Sequence, residues 1–299
     1  MSEVAARSPM GNRFRNPWRK PRILESFIWL YLAWSILPVA IAVLFSFNAG
    51  RSRSTWQGFS LRWYFKDPVL SVWHDPNLHT ALFQTLRLAA LTTIIAVPLG
   101  VAFAIGIDRW RGRIAATFNF QMLLSFVMPE LIIGVTLLFV FANLLSFVHL
   151  GTKAQFLGLV TFQVSYPVII VRARMLSIGK EYEEAAMDLG ASPVQALRRV
   201  LLPLLYPAIF ASAVLVFADV IDDFVIVRYL SSDASTEPMA VKIFNSARAS
   251  PTPALNALAT IMLTTSLLLI VLGYVGYRFS TRGERRGAGP GFGDFAAEL

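Results

Sequence analysis

The sequence has no cysteine in 299 residues, which excludes disulfide bonds, thiol catalysis and cysteine-based metal sites. Histidine is scarce too, and its three copies show no spacing typical of a metal cluster. A phosphate-binding loop is also missing, because the one Gly-Lys pair, Gly179-Lys180, is followed by Glu181 and lacks the upstream glycine. These absences predict that the chain has no cofactor of its own. Because it lacks a nucleotide site, any energy from ATP hydrolysis must be supplied by another polypeptide.

Charged residues make up only 15% of the chain, whereas hydrophobic residues make up 56%. A soluble domain has about 45–50% apolar and about 25% charged residues, so this balance is typical of a polytopic membrane protein. Six segments are long and apolar enough to cross roughly 30 Å of hydrocarbon as helices. We therefore predict an all-α membrane protein with six transmembrane helices near residues 28–48, 82–106, 119–145, 155–172, 205–229 and 254–277.

Lysine and arginine are distributed unequally between the two sides of these spans. Eighteen lie in the two tails and in the second and fourth loops, whereas eight lie in the first, third and fifth loops. Because basic residues are retained on the cytoplasmic side, the N- and C-termini and the fourth loop are predicted to be cytoplasmic. The net charge of +9 then reflects topology and does not indicate nucleic-acid binding.

The predicted domain organisation follows from this topology. A cytoplasmic tail occupies 1–27, a six-helix domain occupies 28–277, and a second cytoplasmic tail occupies 278–299. The first span is long for a signal-peptide core, so it is predicted to be a retained anchor. The extreme ends, 1–16 and 283–299, have a composition typical of disorder.

The fourth loop contains a polar, helix-prone stretch, EYEEAAMDLGASPVQALRRVLLP, at 181–203. Acidic residues from Glu181 onwards favour a helix start, and Gly190 suits the left-handed position that ends a helix. Ser192 then suits the N-cap of a second helix, with Pro193 as its first residue. The charge pattern alone fits a solvated connection equally well, but the capping residues predict a short helix–turn–helix at the cytoplasmic face.

The same stretch carries a specific spacing, Glu184-Ala185-Ala186, then Gly190, then Val200-x-Leu202-Pro203. It resembles the EAA loop of ABC-importer permeases, EAA-x3-G-x9-I-x-L-P, with Val for Ile as the one departure. Segments such as MPELIIGVTLLFVF and DDFVIVRYL resemble the spermidine/putrescine (PotC-type) branch of the binding-protein-dependent permeases. The resemblance implies the type I ABC importer permease fold.

The resemblance also implies a function and a set of partners. The chain would be the permease subunit of an ATP-driven importer in the bacterial plasma (inner) membrane, moving a polyamine into the cytoplasm. Its partners would be membrane lipid, a second, homologous permease (PotB-like), a dimer of ATPase subunits (PotA-like) that bind ATP and Mg, and an external solute-binding protein (PotD-like). The 181–203 loop would be the coupling helix that docks on the ATPase, through Glu184, Ala185, Ala186, Gly190, Leu202 and Pro203.

Three aspartates, Asp219, Asp222 and Asp223, interrupt the apolar fifth span. On a continuous helix they share one face, and Asp222 lies roughly 24 Å along a span that starts near Tyr206. Ionisable groups at such depth usually face a cavity or the bundle interior. Asp219 is a candidate on its position alone. The resemblance assigns four residues to the substrate pathway: Trp63, Glu130, Asp222 and Asp223.

Each candidate also has a structural interpretation. Trp63 suits an anchor at the membrane interface. Glu130, which follows Pro129, suits a cap on a broken helix or an ion pair with Arg87. The aspartates suit a salt bridge to Arg228 or to a partner subunit.

Two other classes of function remain as alternatives. A cation- or proton-coupled secondary transporter would use the aspartates as a proton relay. An intramembrane aspartyl hydrolase would need two opposed carboxyl groups, which three aspartates on one helix do not supply. Neither class explains the EAA spacing, so the sequence favours a permease for a small cationic solute, with a permease for a different solute as the alternative.

Overall fold

The computed structural model describes residues 22–52, 54–109, 112–249 and 253–281. The predictions for 1–16 and 283–299 lie outside the described residues. Within these ranges the one strand-like feature is an antiparallel bridge between Asn48 and Phe59. The α-helices in them are α1 (Arg22–Ser46), α2 (Pro76–Arg109), α3 (Arg113–Val127), α4 (Glu130–Phe139), α5 (Thr152–Gln163), α6 (Ser165–Ile178), α7 (Glu181–Asp188), α8 (Pro193–Ala196), α9 (Leu202–Asp222), α10 (Val225–Leu230), α11 (Met239–Ala249) and α12 (Pro253–Thr281).

The predicted number of spans agrees with this architecture. In the described part of the chain, five helical stretches are long and apolar enough to cross a membrane, and a bent pair of helices makes a sixth if it is counted as one span. The six predicted segments correspond to α1, α2, α3 with α4, α5 with α6, α9 and α12. Local hydrophobicity therefore located every apolar segment, and the differences concern how the helices are interrupted.

The third span, predicted over 119–145, is broken. α3 ends at Val127 and α4 begins at Glu130, and the two axes are bent by 106°. Pro129 lacks an N–H and disfavours helical backbone at Met128, which is extended with a ψ of 136°. The break places Glu130 in the first turn of α4, but its side chain does not cap the helix.

The prediction of a continuous fifth span over 205–229 is wrong. α9 ends at Asp222, Asp223 has an extended backbone with φ −56° and ψ 124°, and α10 starts at Val225. Asp219 and Asp222 lie on α9 and Asp223 directly follows its end; Asp223 is buried, Asp219 is half-buried and Asp222 is exposed. Neither proline nor glycine occurs at this break, so the sequence carries no local signal for it.

The predicted helix–turn–helix of the fourth loop is confirmed. α7 is followed by Gly190 at a φ of 91°, a left-handed conformation that favours glycine. The Ser192 side chain accepts a hydrogen bond from the Gln195 N–H (3.3 Å), and the Gln195 side chain accepts one from the Ser192 N–H (2.9 Å). This capping box starts α8 at Pro193, and a π-helical turn over Leu197–Leu201 joins α8 to α9. The loop and the fifth span are thus joined by continuous helical backbone.

α2 lies at the centre of the bundle, where it packs against α5, α6 and α9. The crossing with α6 is close because α2 has a glycine there. A Cβ on Gly100 would lie 2.4 Å from Pro167 Cγ and 3.0 Å from the carbonyl oxygen of Val164. By contrast, Gly106 on the same helix has nothing within 4 Å of an added Cβ.

We predict that Gly100→Ala destabilises the protein by about 1–3 kcal/mol, because the added methyl group overpacks the α2–α6 crossing. Gly106→Ala is the matched control, and it should be neutral or stabilise the helix by about 0.5–1 kcal/mol. The check is thermal unfolding of the two purified variants in detergent. Equal melting temperatures for the two variants would show that the crossing does not depend on close approach at Gly100.

Candidate functional site

Four carboxyl groups converge where α4 begins and α9 ends. The Glu130 carboxyl is within hydrogen-bonding range of the Asp223 carboxyl, and it is close enough to Asp219 and Asp222 to interact with their charges. We call these four residues the carboxylate cluster. The structure therefore brings together Glu130 and the three aspartates, which are about 90 residues apart in the sequence.

The helix breaks position these side chains. Asp223 lies in the extended turn between α9 and α10, and its Oδ1 accepts a hydrogen bond from the buried Val227 N–H at 3.1 Å. Its Oδ2 is buried and finds no hydrogen-bond partner among the described residues. α4 packs closely along α10, since a Cβ on Gly134 would lie 3.0 Å from Tyr229 Cδ2. The start of α4 is thereby held beside Asp223.

Two further residues join the cluster from the fourth span. Gln163, the last residue of α5, donates a hydrogen bond from Nε2 to Asp219 Oδ2 at 2.6 Å. Tyr166 lies close enough to Asp219, Glu130 and Asp223 for their charges to act on its hydroxyl group. Neither residue was predicted from the sequence. The available signal was an uncharged polar side chain, Gln163, inside an apolar segment.

Aromatic rings flank the cluster on one side. Phe126 of α3 and Phe162 of α5 both make edge-to-face contacts with Tyr166, with ring centroids 5.5 Å and 5.9 Å apart. The two rings pack around Tyr166, which itself lies beside the carboxyl groups. Such a mixture suits a ligand that alternates charged and hydrocarbon parts.

The cluster has no basic counterion among the described residues. Among the residues that the structure describes, no lysine or arginine nitrogen lies within 4.0 Å of the four carboxyl groups. Arg228 approaches Glu237 instead, at 4.0 Å. The ion pairs considered from the sequence, with Arg87 and with Arg228, are therefore not formed in the described ranges. Uncompensated carboxylates in a membrane protein create a strong local attraction for cations.

Trp63 lies in the loop between α1 and α2. Its ring is 0% exposed, and its Nε1 donates a hydrogen bond of 2.6 Å to the carbonyl oxygen of Asn48. A fully buried ring offers no face to a solute or to lipid headgroups. Its placement therefore favours neither of the two roles predicted for it and indicates that Trp63 stabilises this loop.

The neighbouring Asp67 stabilises the same loop between α1 and α2. Hydrogen bonds from the backbone N–H groups of Leu70 and Val69, and then the nearby Arg62 guanidinium, lower the pKa of Asp67 to about 2. Arg62 Nε donates to Asp67 Oδ2 at 2.8 Å. The loop is thus a folded unit that is stabilised by hydrogen bonds and packing.

The 181–203 loop presents an exposed surface at the opposite end of the bundle. Leu189 is 90% exposed, and Glu184, Ala185 and Gly190 are exposed as well. Ala186 and Leu202 are half-buried, and Pro203 is exposed in the first turn of α9. An ion pair between Arg109 at the end of α2 and Glu183 of α7 ties the loop to the bundle core. A groove of about 210 Å³ lies along this contact, lined by Asp108, Arg109, Lys180, Glu183, Glu184, Met187 and Pro193.

Comparison with protein families agrees with this arrangement. Residues 96–286 match the family described as the binding-protein-dependent transport system inner membrane component. The chain belongs to this family. It is therefore a multi-pass membrane component of a transport system, as the EAA spacing predicted.

Curated relatives cover most of the chain. The putrescine transport system permease protein PotI of Escherichia coli K12 is 32% identical over 278 residues, 91% of this chain and 94% of that protein. The spermidine/putrescine transport system permease protein PotC of Haemophilus influenzae is 32% identical over 83% of this chain and 93% of its own length. Similarity of this extent includes both the carboxylate cluster and the 181–203 loop within the matched lengths.

Solved structures confirm the predicted fold. A bacterial ABC transporter involved in the import of the acidic polysaccharide alginate has a chain that matches with a TM-score of 0.69 and 14% identity, covering 92% of this chain and 100% of that one. A chain of the inward-facing MetNI methionine ABC transporter matches with a TM-score of 0.58 and 16% identity, covering 69% and 97%. The fold of this protein is thus that of ABC importer permeases.

We predict that Asp223→Ala lowers the stability of the protein by about 1–3 kcal/mol, because it leaves the buried Val227 N–H without an acceptor. Asp223→Asn keeps an oxygen at the Oδ1 position and should lose much less. Asp222→Ala, at an exposed site, should change stability by less than about 0.5 kcal/mol. The measurement is thermal unfolding in detergent, and equal losses for Ala and Asn at position 223 would contradict the role of Oδ1.

Proposed function

We propose that the chain is the permease subunit of an ATP-driven ABC importer that moves a small cationic solute, a polyamine such as putrescine or spermidine, into the cytoplasm. The observation that carries this proposal is the carboxylate cluster at the interrupted helices, which has no basic counterion in the described residues. The names of the relatives, PotI and PotC, support the same class of solute.

The cluster fits the chemistry of a polyamine. Such a solute carries ammonium groups separated by methylenes, and it loses its hydration water when it enters the bundle. Desolvating a charge is costly unless it finds an opposite charge or hydrogen-bond acceptors. Glu130 and the three aspartates supply these groups, while half-buried Tyr166 and exposed Phe126 beside it supply surface for the methylenes. The solute and the cluster thus compensate each other's charge.

The cluster also argues against an anionic solute. One transporter of the same fold imports an acidic polysaccharide, but its chain is only 14% identical to this one. The shared fold therefore does not determine which solute is transported, whereas the charge of the pathway residues does. Four carboxylates would repel a polyanion. The cation-coupled secondary transporter remains the second candidate because of the same carboxylates, but it leaves the exposed 181–203 loop without a purpose.

The 181–203 loop suits the role of a coupling helix. Its exposed apolar residues, Leu189 above all, offer a docking surface for the predicted ATPase dimer, which would bind ATP and Mg. Two contacts can transmit a displacement of this loop to the bundle. One is the ion pair between Glu183 and Arg109 of α2, and the other is the continuous helical backbone from α8 to α9. We propose that a homologous second permease and an external solute-binding protein complete the complex in the bacterial inner membrane.

The double variant Asp222→Asn with Asp223→Asn tests the solute pathway. We expect it to assemble normally, since the amide oxygen of an asparagine at position 223 can still accept from the Val227 N–H. We also expect it to lose putrescine uptake by more than about tenfold, because two charges are removed from the cluster. Uptake by the complete importer in proteoliposomes is the measurement.

The matched control removes two external carboxylates that serve only as turn acceptors. Asp75 Oδ1 accepts from the Asn77 N–H and Asp233 Oδ1 from the Ser235 N–H, each at 2.8 Å, so Asp75→Asn with Asp233→Asn keeps both contacts. This control should import putrescine at the wild-type rate. If the cluster variant did so too, the cluster would not be part of the pathway.

Glu184→Lys tests the coupling role of the loop. Glu184 is exposed and lines the groove beside Arg109, so its reversal should leave folding intact while it weakens ATPase docking and abolishes ATP-driven uptake. Glu25→Lys is the control, because it makes the same charge change in the first turn of another exposed helix. Co-purification of the ATPase and ATP-driven uptake are the measurements. Normal coupling in Glu184→Lys would refute the assignment of the loop.

A further inference from the structure

α5 carries two glutamines, Gln155 and Gln163, that are both 0% exposed. Gln155 is fully hydrogen-bonded: its Oε1 accepts from Gln84 Nε2 at 2.9 Å, and its Nε2 donates to Ser231 Oγ at 2.8 Å and to the Thr236 carbonyl oxygen at 2.9 Å. These contacts join α5 to α2 and to the segment after α10. Gln155 therefore has an evident structural role.

Gln163 differs from Gln155 in one respect. Its Nε2 donates to Asp219, but its Oε1 is buried and finds no donor among the described residues. This orientation of the amide is the one that an ionised Asp219 requires, because a carboxylate only accepts hydrogen bonds. The free end of the amide is therefore an acceptor, and buried acceptors without a donor are uncommon in folded proteins.

A second buried oxygen, Asp223 Oδ2, belongs to the same cluster; no N–H or hydroxyl group of the described residues donates to it, and its neighbour within hydrogen-bonding range is the Glu130 carboxyl. Glu130 and Asp219 add further carboxylate oxygens. The cluster thus offers several acceptors, and the described donors beside it are Gln163 Nε2, the Val227 N–H and the Tyr166 hydroxyl group. Its residues range from exposed Asp222 through half-buried Asp219 to buried Asp223.

We propose that Gln163 is a specificity-determining residue, whose Oε1 accepts a hydrogen bond from a primary ammonium end of the solute held by the carboxylate cluster. A primary ammonium group has three N–H donors, which match the carbonyl and carboxylate oxygens in this cluster. A site built to accept hydrogen bonds rejects analogues that lack the donors, whereas charge alone does not distinguish them. This inference deepens the proposed function and rests on it.

The test compares two dications with different numbers of donors. Putrescine has three N–H groups at each end, whereas N,N,N′,N′-tetramethylputrescine keeps both charges and has one at each end. Initial uptake of each is measured with the complete importer in proteoliposomes. The binding protein is the same throughout, so its own preference cancels when variants are compared. Thermal stabilisation of the purified permease–ATPase complex by each amine gives a second measurement without the binding protein.

We expect the wild-type preference for putrescine to fall on the order of tenfold in Gln163→Leu, which removes the acceptor. Gln163→Glu keeps an acceptor oxygen and should retain the preference. If the amide served only to hold Asp219, the order would be reversed, because a carboxylate at position 163 would repel Asp219 more than leucine does. Thr161→Val, on the same helix with its hydroxyl bonded to the Leu157 carbonyl, is the control and should behave as wild type.

The possible failures are distinguishable. If the wild-type importer took up neither amine and was stabilised by neither, the proposed function would fail and this inference with it. If the wild type imported putrescine while Gln163→Leu kept the full preference, only the inference would be overturned. If Gln163→Leu assembled poorly, Gln163→Glu alone would be compared with the wild type. Loss of the preference for putrescine in Gln163→Glu would then contradict the acceptor role.

Discussion

The candidate site depends on a constraint that the membrane imposes on interrupted helices. A helix that breaks within hydrocarbon exposes backbone groups that only the protein can satisfy, so breaks persist where other chain segments or a polar cavity surround them. In the described residues two spans are interrupted, at Met128–Pro129 and at Asp223–Phe224, while the fourth span continues through Val164 with helical backbone. Asp223 bonds the Val227 N–H, and Ser165 Oγ donates to the Phe162 carbonyl. Asp223 thus both stabilises a helix break and belongs to the cluster.

The charge of the cluster gives the site its chemical character. Four carboxyl groups and no basic partner in the described ranges leave the region complementary to a cation, while the fold itself is shared with a transporter of an acidic polysaccharide. Selectivity for charge can therefore change on a constant helical scaffold through a few side chains at the breaks. Gln163 adds directional hydrogen bonding to this electrostatic attraction, which by itself would accept any small cation.

The 181–203 loop and the cluster lie at opposite ends of α9. α9 starts from the loop and ends at Asp222, and α2, which contacts α9 along the bundle, is tied to the loop by the Arg109–Glu183 ion pair. A movement of the loop would therefore act on both α9 and α2. This geometry offers a physical connection between the proposed ATPase docking surface and the residues proposed to contact the solute.

The sequence alone determined the features that depend on neighbouring residues. Hydrophobic length located the six apolar segments, and Ser192, Pro193 and Gly190 specified the caps and the turn of the cytoplasmic loop. Pro129 signalled the first helix break. The second break was not predicted, because no proline or glycine marks the end of α9 at Asp222. The tertiary structure alone decided the burial of Trp63 and the pairing of Gln163 with Asp219 across 56 residues, since both follow from packing between distant segments.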